Sequence, residues 1–367
     1  MTRRDRTAFL DLPYRLYRKE PYWVPPLRSD QRRLVDRRAN PFFDYGDVRL
    51  FLARRSGRAV GRIAAVTNPR HNASRGARCG FFGLFAAEDD EDVARALVSA
   101  ACDALRAEGL ETVLGPVNLT VHDELGVLLD AYDRWPAIGM PYNPASHPRL
   151  LEACGLTKAV DLLAWELPTT VHEKPVVGRL ADLAAAREGL RLRPVDLNDF
   201  DGEARRMLAL YNDVWDRNWG FSPMTEREFF AQARRLRPFL IPELTVFAEL
   251  HGEPVGFALV LPDLAPAQAA AGGRLHTWGV PIGLLRFLRA RRRTDALRIV
   301  ALGVREEHRN SPIAMLLGAH ISRTGARLGY RTAEASWVLE TNTIAAGSLQ
   351  YLGGQVTKTY RLYQRQL

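Results

Sequence analysis

Two acidic side chains share one face of a short segment near the end of the chain. Residues 332–340 alternate in polarity as a β-strand does. One face of this predicted strand carries Glu334, Ser336 and Glu340, and the other face carries Trp337. A carboxylate in such a position can take a proton from an ammonium group, directly or through water. Glu334 and Glu340 are therefore the candidate catalytic bases, and each is equally suited to a structural role as a hydrogen-bond acceptor.

A polar loop that leads into a predicted helix is suited to bind phosphate. The loop reads Arg309-Asn-Ser-Pro-Ile-Ala314, and the helix is predicted over residues 312–328. The first turn of a helix has N–H groups without intrahelical partners and attracts anions. Pro312 suits the first helical position but removes one N–H. The start of this helix can therefore receive an anion through its backbone N–H groups. A plain loop-to-helix junction is the alternative.

The elements around these residues repeat a pattern from the first half of the chain. Residues 48–68 and 244–263 each read as a strand, a glycine turn and a second strand, which is typical of an antiparallel hairpin. Four identical residues recur in them at a spacing of 195: Ala53/Ala248, Gly57/Gly252, Val60/Val255 and Gly61/Gly256.

The same order of elements follows each hairpin. A strand, a helix ended by glycine and a second strand are predicted at 79–85, 92–107 and 111–114, and again at 298–304, 312–328 and 331–339. A short helix and a final strand close each half. The pattern predicts an α/β fold with mixed sheets in two tandem domains, over residues 1–168 and 190–367, with 169–189 as the linker.

The two halves differ where the phosphate-binding loop is expected. The matching position in the first half reads Glu88-Asp-Asp-Glu-Asp92, five carboxylates in a row. Acidic residues suit a helix N-terminus electrostatically, but they repel an anionic cofactor. We therefore expect the chemistry in the second half and a structural or substrate-shaping role for the first.

Composition excludes several classes of protein. The first ten residues lack the apolar stretch of a signal peptide, and no run approaches the roughly 18 apolar residues of a membrane span. Three widely spaced cysteines form neither a metal-ligand cluster nor a disulfide framework. We expect a cytoplasmic protein without a metal ion.

Short motifs in this order resemble the GNAT superfamily of acyl-CoA N-acyltransferases. The likeness is clearest in the strand ending Leu302-Gly-Val304, the element Asn342-Thr-Ile-Ala345 and the turn Leu352-Gly353. Over nearly its full length the chain resembles a family of bacterial tandem proteins of this fold, the relatives of YghO, to which bacterial ceramide synthases are related. The motifs carrying this likeness include Trp23-Val-Pro-Pro26, Asn40-Pro-Phe-Phe43, Gly80-Phe-Phe-Gly83, Asn218-Trp-Gly-Phe221 and Glu334-Ala-Ser-Trp-Val-Leu-Glu340.

The resemblance implies a donor and an acceptor site. It implies that the phosphates of CoA or of an acyl carrier's phosphopantetheine lie on the loop before the helix predicted over residues 312–328, where the superfamily usually reads Arg/Gln-x-x-Gly-x-Gly/Ala. The residues that it assigns to the phosphates are Arg309, Asn310, Ser311, Ile313 and Ala314, and Pro312 replaces the central glycine. It also implies that N–H groups of Gly303 and Val304 stabilise the thioester oxyanion. Leu349 stands where the superfamily often has a tyrosine acid, with Tyr351 two residues further on. The residues that the resemblance assigns to the acceptor substrate are Asn218, Trp219, Phe221, Trp337 and Asn342.

The net charge of +9 points to acidic partners. Residues 284–293 are amphipathic and rich in arginine. They are interpreted as a solvated face, as a docking site for an acidic acyl carrier protein, or as a contact with an anionic membrane surface. Nucleic acid is not expected, because no binding motif accompanies the charge.

The sequence thus predicts an N-acyltransferase that moves an acyl group from acyl-CoA or an acyl carrier protein to a small-molecule or lipid amine. One alternative is a lipid acyltransferase working at a membrane surface. Another is a non-catalytic protein that binds acyl ligands or acts as a scaffold, which Pro312, the missing tyrosine and the acidic residues of the first half favour. A nucleotide pyrophosphohydrolase is the weakest alternative, because it needs carboxylates arranged around Mg²⁺.

Overall fold

The computed structural model describes residues 1–309 and 311–367. The chain divides into two compact units. The first unit contains Met1–Leu163, Leu264–Arg293 and Lys358–Leu367, and the second contains Ala164–Asp263 and Thr294–Thr357. Both mix helices with parallel and antiparallel strands, so the predicted α/β class is confirmed.

Helices and strands are interspersed along the described chain. As far as residue 168 they are α1 (Arg3–Leu16), α2 (Arg28–Leu34), β1 (Asp47–Arg55), β2 (Arg58–Thr67), α3 (Pro69–Arg75), β3 (Cys79–Ala87), α4 (Glu91–Arg106), β4 (Thr112–Gly115), β5 (Val127–Leu128), α5 (Ser146–Ala153) and β6 (Thr157–Pro168). They continue as α6 (Pro175–Ala185), β7 (Leu190–Pro194), α7 (Phe200–Trp215), α8 (Glu226–Leu236), β8 (Thr245–Leu250), β9 (Glu253–Pro262), α9 (Ala265–Ala271), α10 (Ile282–Arg291), β10 (Ala296–Val304), α11 (Ile313–Arg327), β11 (Thr332–Leu339), α12 (Thr343–Tyr351) and β12 (Gln355–Gln366).

The two hairpins of the predicted repeat share their geometry in detail. Gly57 and Gly252 turn β1 into β2 and β8 into β9, with φ of 80° and 89°. These are positive values that glycine adopts without steric cost. The register of the first hairpin shifts after Ala53, and that of the second shifts after the equivalent Ala248. The repeat read from the sequence is therefore confirmed.

The first unit packs α4 against one face of its sheet. Its strands lie in the order β1-β2-β3-β4-β12, with β5 against β12. Gly61 lets the helix approach, because a Cβ atom there would stand 2.6 Å from Leu97 and 2.8 Å from Val93. Leu97, Ala101 and Leu105 of α4 form the core with Ile63 and other strand residues.

The sheet of the second unit is covered on both faces. Its strands lie in the order β11-β10-β9-β8-β7. Ile313, Leu317 and Ile321 of α11 pack on one face. Met207, Leu210 and Val214 of α7 pack on the other, against Phe247 and Phe257.

The compact units differ from the predicted domains in three places. Most of the last strand, from Lys358 onward, belongs to the first unit, where Tyr363 of β12 pairs with Gly115 of β4. The segment Leu264–Arg293 also belongs there, since the N–H of Arg28 donates to the carbonyl of Gly273 at 2.9 Å. The predicted linker 169–189 is largely helical and belongs to the second unit. Hydrophobic periodicity cannot show which open edge a terminal strand joins.

Candidate active-site groove of the second unit

The parallel strands β10 and β11 stop pairing halfway along their length. They pair from Ala296 and Thr332 as far as Ile299 and Ala335. Strand β10 continues to Val304 and β11 to Leu339, but beyond Ile299 and Ala335 the described residues of these two strands no longer pair with each other. The register of β10 with β9 shifts just beyond Ile299. A groove therefore opens between the carboxyl ends of the two strands.

The equivalent opening in the first unit is filled by the chain itself. Strands β3 and β4 stop pairing at Phe81 and Leu114. The N–H of Val117 then donates to the carbonyl of Phe82 at 2.8 Å, and the side chain of Asn118 accepts from the N–H of Leu84 at 2.8 Å. This loop uses the backbone groups that an extended ligand would otherwise bind.

The groove of the second unit lacks such a loop. Ile299 takes the place of Phe82, since they pair with the equivalent residues Val260 and Ala65. Within residues 1–309 and 311–367, no loop makes a backbone hydrogen bond to residues 299–303. The second groove is therefore open to a ligand in the way that the first is not.

Ser336 lies at the point where the groove opens. It directly follows Ala335, the last paired residue of β11, and its side chain is only 5% exposed. Its hydroxyl has no hydrogen-bond partner in the described chain. Buried hydroxyls nearly always have a partner, so this one is available to a ligand or a water molecule. The sequence placed Ser336 on the face of the two glutamates without giving it a role.

The two candidate bases occupy different parts of β11. Glu334 is buried in the paired region, directly opposite Arg298 of β10. Its position inside the paired part of the sheet, before the two strands part, favours a structural role for Glu334. Glu340 is half-buried and follows the last residue of β11 at the open end of the groove. Six residues of extended strand separate them by about 20 Å, so the two cannot serve the same reacting atom.

Gly303 allows the last turn of α7 to lie against the groove strand. A Cβ atom on Gly303 would stand 2.5 Å from Cγ1 of Val214 and 3.0 Å from Cη2 of Trp215. The next residue, Val304, points to the opposite face and packs in the core with Ile313. The two residues predicted to offer backbone N–H groups thus lie between α7 and α11.

Arg309 also contacts the end of α7. Its Nη2 donates to the carbonyl oxygen of Val214 at 2.7 Å. The last carbonyls of a helix have no intrahelical donor, and an arginine satisfies them well. Arg309 therefore fixes the end of α7 beside the loop where phosphate is predicted to bind. Its neighbour Asn310, another predicted phosphate ligand, lies outside the described residues.

The first turn of α11 keeps its N–H groups uncapped. Pro312 precedes the helix without a side-chain cap, and the first turn contains no acidic residue. The hydroxyl of Ser311 donates to the carbonyl of His308 at 2.6 Å, which folds the loop towards the helix. Ile313 is buried, so only its backbone is available, whereas Ala314 is exposed. This end of α11 suits the phosphates of a nucleotide cofactor.

The matching helix of the first unit is capped by its own acids. Asp90 accepts from the N–H groups of Asp92 and Val93, and Arg55 lowers its pKa by hydrogen bonding to the carboxylate. The neighbouring acids form ion pairs, for example Glu88 with Arg58 at 2.6 Å. This cluster is an ion-pair network at a helix end.

The predicted acceptor loop follows α7. The side chain of Asn212 fixes it by accepting from the N–H of Met224 at 2.9 Å and donating to its carbonyl at 3.1 Å. Phe221 is buried and packs on Tyr211, with ring centroids 5.7 Å apart. Trp219 remains 39% exposed. The carbonyl of Asn218 accepts a hydrogen bond from the N–H of Phe221, which closes a turn of the backbone. Of the predicted loop residues, Trp219 is the most accessible to a substrate.

Trp215 is the groove residue that sequence reasoning missed. It packs on Tyr211 and Phe257, with centroid distances of 4.9 and 5.6 Å, and covers Gly303. Burial raises the pKa of Tyr211 well above its usual range. A tryptophan at the end of a predicted helix does not by itself indicate a functional residue. Its partner Gly303 lies far away in sequence, so no local pattern joins the two.

The remaining predicted substrate residues lie on and after β11. Trp337 follows Ser336 and is half-buried. Asn342 caps α12, since its side chain accepts from the N–H of Ala345 at 3.1 Å. The Asn-x-x-Ala element is therefore a helix start in this protein.

Comparisons with known proteins place this geometry in a class. No protein-family model matches the chain. The tandem GNAT protein of the clavulanic acid pathway has a similar fold, with a TM-score of 0.54 and 16% identity over 98% of this chain and 94% of that one. A probable N-acyltransferase from Enterococcus faecalis V583 also has a similar fold, with a TM-score of 0.51 and 9% identity over 100% of this chain and 71% of that one. The class is thus the tandem GNAT fold.

Two curated relatives define the family more narrowly. The bacterial ceramide synthase of Caulobacter vibrioides is 34% identical, over 98% of this chain and 94% of the relative. Protein YghO of Escherichia coli K12 is 32% identical, over 100% of this chain and 94% of the relative. The chain belongs to the family of bacterial tandem GNAT-fold proteins that includes these two.

Proposed function

We propose that the protein is an acyltransferase that moves an acyl group from a phosphopantetheine thioester to an amine in the groove between β10 and β11. The single observation that supports this most strongly is the contrast between the two units. The first groove is filled by Val117 and Asn118, whereas the second leaves the backbone of residues 299–303 open. An open groove beside an uncapped helix suits an extended ligand that ends in phosphates.

The residues of the second unit fit a phosphopantetheine thioester, which supplies the activated acyl group when bound. The N–H groups of Ile313 and Ala314 would hold the phosphates, because nothing in the described chain caps them. The free edge of β10 would bind the extended pantetheine arm. Ser336 would donate or accept a hydrogen bond at the base of the groove.

Glu340 is the better-placed base for the incoming amine. It lies beyond the last residue of β11, at the end of the groove away from Ser336, and a general base there would take a proton from an ammonium group before or during attack. Glu334 instead lies buried in the paired part of the sheet, before the strands part. Backbone N–H groups near Gly303 would stabilise negative charge on the thioester oxygen.

The acceptor is proposed to be an amine with an apolar body. The exposed ring of Trp219 offers an apolar surface next to α7. The name of the Caulobacter relative indicates ceramide formation, which joins an acyl chain to the amine of a lipid. A long-chain lipid amine is therefore the first acceptor to test, with acyl-CoA and acyl carrier protein as alternative donors.

Mass spectrometry tests this function directly. The protein would be incubated with a mixture of acyl-CoA and acyl carrier thioesters, with and without long-chain amines. We expect an N-acylated product together with loss of one thioester. Replacement of Ser336 by Leu fills the base of the groove and should abolish both. Thioester binding without any consumption would instead identify a non-catalytic acyl-binding protein.

A further inference from the structure

Five large apolar side chains are exposed together in the segment between α9 and β10. Trp278 is 98% exposed and Leu285 is 62% exposed. The other three exposed members are Val280, Ile282 and Leu288. The surface of a monomeric protein normally exposes such residues singly, and clusters of exposed apolar residues mark interaction sites.

A fixed local structure holds these residues outward. Thr277 and Val280 exchange backbone hydrogen bonds of 2.9 and 3.0 Å, so that Trp278 stands at the tip of a tight turn. Gly283 anchors the start of α10, since a Cβ atom there would collide with the carbonyl oxygen of Arg274. The N–H of Leu284 donates to the carbonyl of Leu275 at 2.9 Å. This hydrogen-bonded turn therefore holds Trp278 in its exposed position.

The charge of this segment has one sign. Residues 264–294 contain six arginines and no aspartate or glutamate. Many arginines of the chain form ion pairs, such as Arg55 with Asp90 at 2.7 Å. By contrast, the structure as described shows no ion pair for four arginines of this segment. They are Arg286, Arg289, Arg292 and Arg293.

The arginines and the apolar residues share the outer face of α10. Leu285, Arg289 and Arg292 recur at helical spacing, with exposed Ile282 one turn before them. Half-buried Leu284 and Phe287 occupy the other face. The outer face thus combines apolar side chains with positive charge, which suits the boundary between lipid headgroups and acyl chains.

We propose that Trp278 and the outer face of α10 dock the protein on a membrane surface that contains anionic lipid. Trp278, Val280 and Leu285 would enter the boundary region, and the unpaired arginines would contact the lipid phosphates. None of the helices in the described chain has the length and apolar character needed to cross a membrane. This inference goes beyond the transfer reaction and holds whether or not the groove is catalytic.

The exposed tryptophan favours a lipid surface over an acidic protein. An acidic protein partner such as an acyl carrier would be recognised chiefly by charge complementarity with the arginines. Tryptophan prefers the membrane interface, where its ring sits at the headgroup level. The leucines between the arginines add apolar area that an acidic surface would not use.

Vesicle co-sedimentation tests the proposal with the full chain. Vesicles of phosphatidylcholine alone are compared with vesicles that contain an equal amount of phosphatidylglycerol, at low and high salt. We expect binding to the anionic vesicles that weakens as salt rises. Replacement of Arg292 and Arg293 by Glu should weaken binding by about 30-fold or more, and Trp278→Ala by roughly tenfold.

Matched controls separate this surface from net charge and from misfolding. Arg32→Glu with Arg33→Glu makes the same charge change in the last turn of α2, and Trp135→Ala removes another exposed tryptophan of the first unit. Both should bind vesicles as the wild type does. Absent vesicle binding, equal loss in the control variants, or saturable binding of an acidic acyl carrier protein in place of vesicles would overturn the proposal.

Discussion

The indole ring of Trp215 lies so close to the backbone of Gly303 that a Cβ atom there would stand 3.0 Å from Cη2 of the ring. The last turn of α7 therefore rests on the strand that lines the groove. Arg309 fixes the same turn by donating to the carbonyl of Val214. The wall of the groove and the predicted phosphate loop thus share one support.

Replacement of Gly303 by Ala tests this support. The added methyl group must displace Val214 and Trp215, so we expect the free energy of unfolding to fall by about 1–3 kcal/mol and activity to fall with it. Denaturant unfolding measures the first effect. Gly318→Ala is the control, because a Cβ atom at this position in α11 meets nothing within 4 Å and should stabilise the helix by about 0.5–1 kcal/mol.

Charge reversal at Arg309 tests the phosphate site. Arg309→Glu removes a cation beside the first turn of α11, so thioester binding should weaken by about 1.5–3 kcal/mol in titration calorimetry. Arg323→Glu makes the same change farther along α11 on its exposed side and should bind normally. Equal affinity in a folded Arg309→Glu variant would contradict a site at this loop.

The two glutamates of β11 should respond differently to replacement. Glu340→Gln should lower the turnover rate by about 10²–10⁴-fold and leave thioester affinity unchanged, because it removes only the base. Its remaining rate should rise with pH as the amine loses its proton without help. Glu334→Gln should mainly lower stability, because Glu334 is buried opposite Arg298. Normal turnover in both variants would favour proton removal by water.

The loop that fills the first groove should matter for stability alone. Asn118→Ala leaves the N–H of Leu84 without its acceptor, which should cost about 1–3 kcal/mol of unfolding free energy. Turnover per folded molecule should match the wild type. A large fall in turnover with intact stability would mean that the first unit takes part in the reaction.

A buried histidine of the first unit should make stability depend on pH. Burial lowers the pKa of His147 from 6.5 to about 4, against the rings of Tyr17 and Phe85. Protonation therefore favours the unfolded chain, so this stability is complete above pH 6.5 and declines as pH falls towards 4. The full effect amounts to about 3 kcal/mol. Denaturation at several pH values should show this slope, and His147→Gln should flatten it.

Local patterns predicted the repeated elements well. The helix predicted over residues 312–328 is Ile313–Arg327, and the strand predicted over 298–304 is Ala296–Val304. Periodic apolar residues and terminal glycines define such elements within short windows of sequence. The local sequence was also sufficient to predict that the five carboxylates of Glu88–Asp92 repel an anionic cofactor.

Long-range relationships could not be read from the sequence. The pairing of β12 with β4, the cover of Trp215 on Gly303 and the use of Asn118 to fill the first groove each join residues that are distant in sequence or unmarked by any pattern. Ser336 gained significance only when β10 and β11 were seen to part beside it. Such contacts depend on packing, which periodicity does not encode.

Hydrogen exchange in the presence of acyl-CoA reports where the thioester binds without requiring turnover. Exchange should become slower in peptides that cover residues 299–304 and the first turn of α11. Peptides that cover residues 81–84 and the start of α4 should exchange as in the free protein. Protection confined to the first unit, or none at a saturating thioester concentration, would contradict the assignment of the groove.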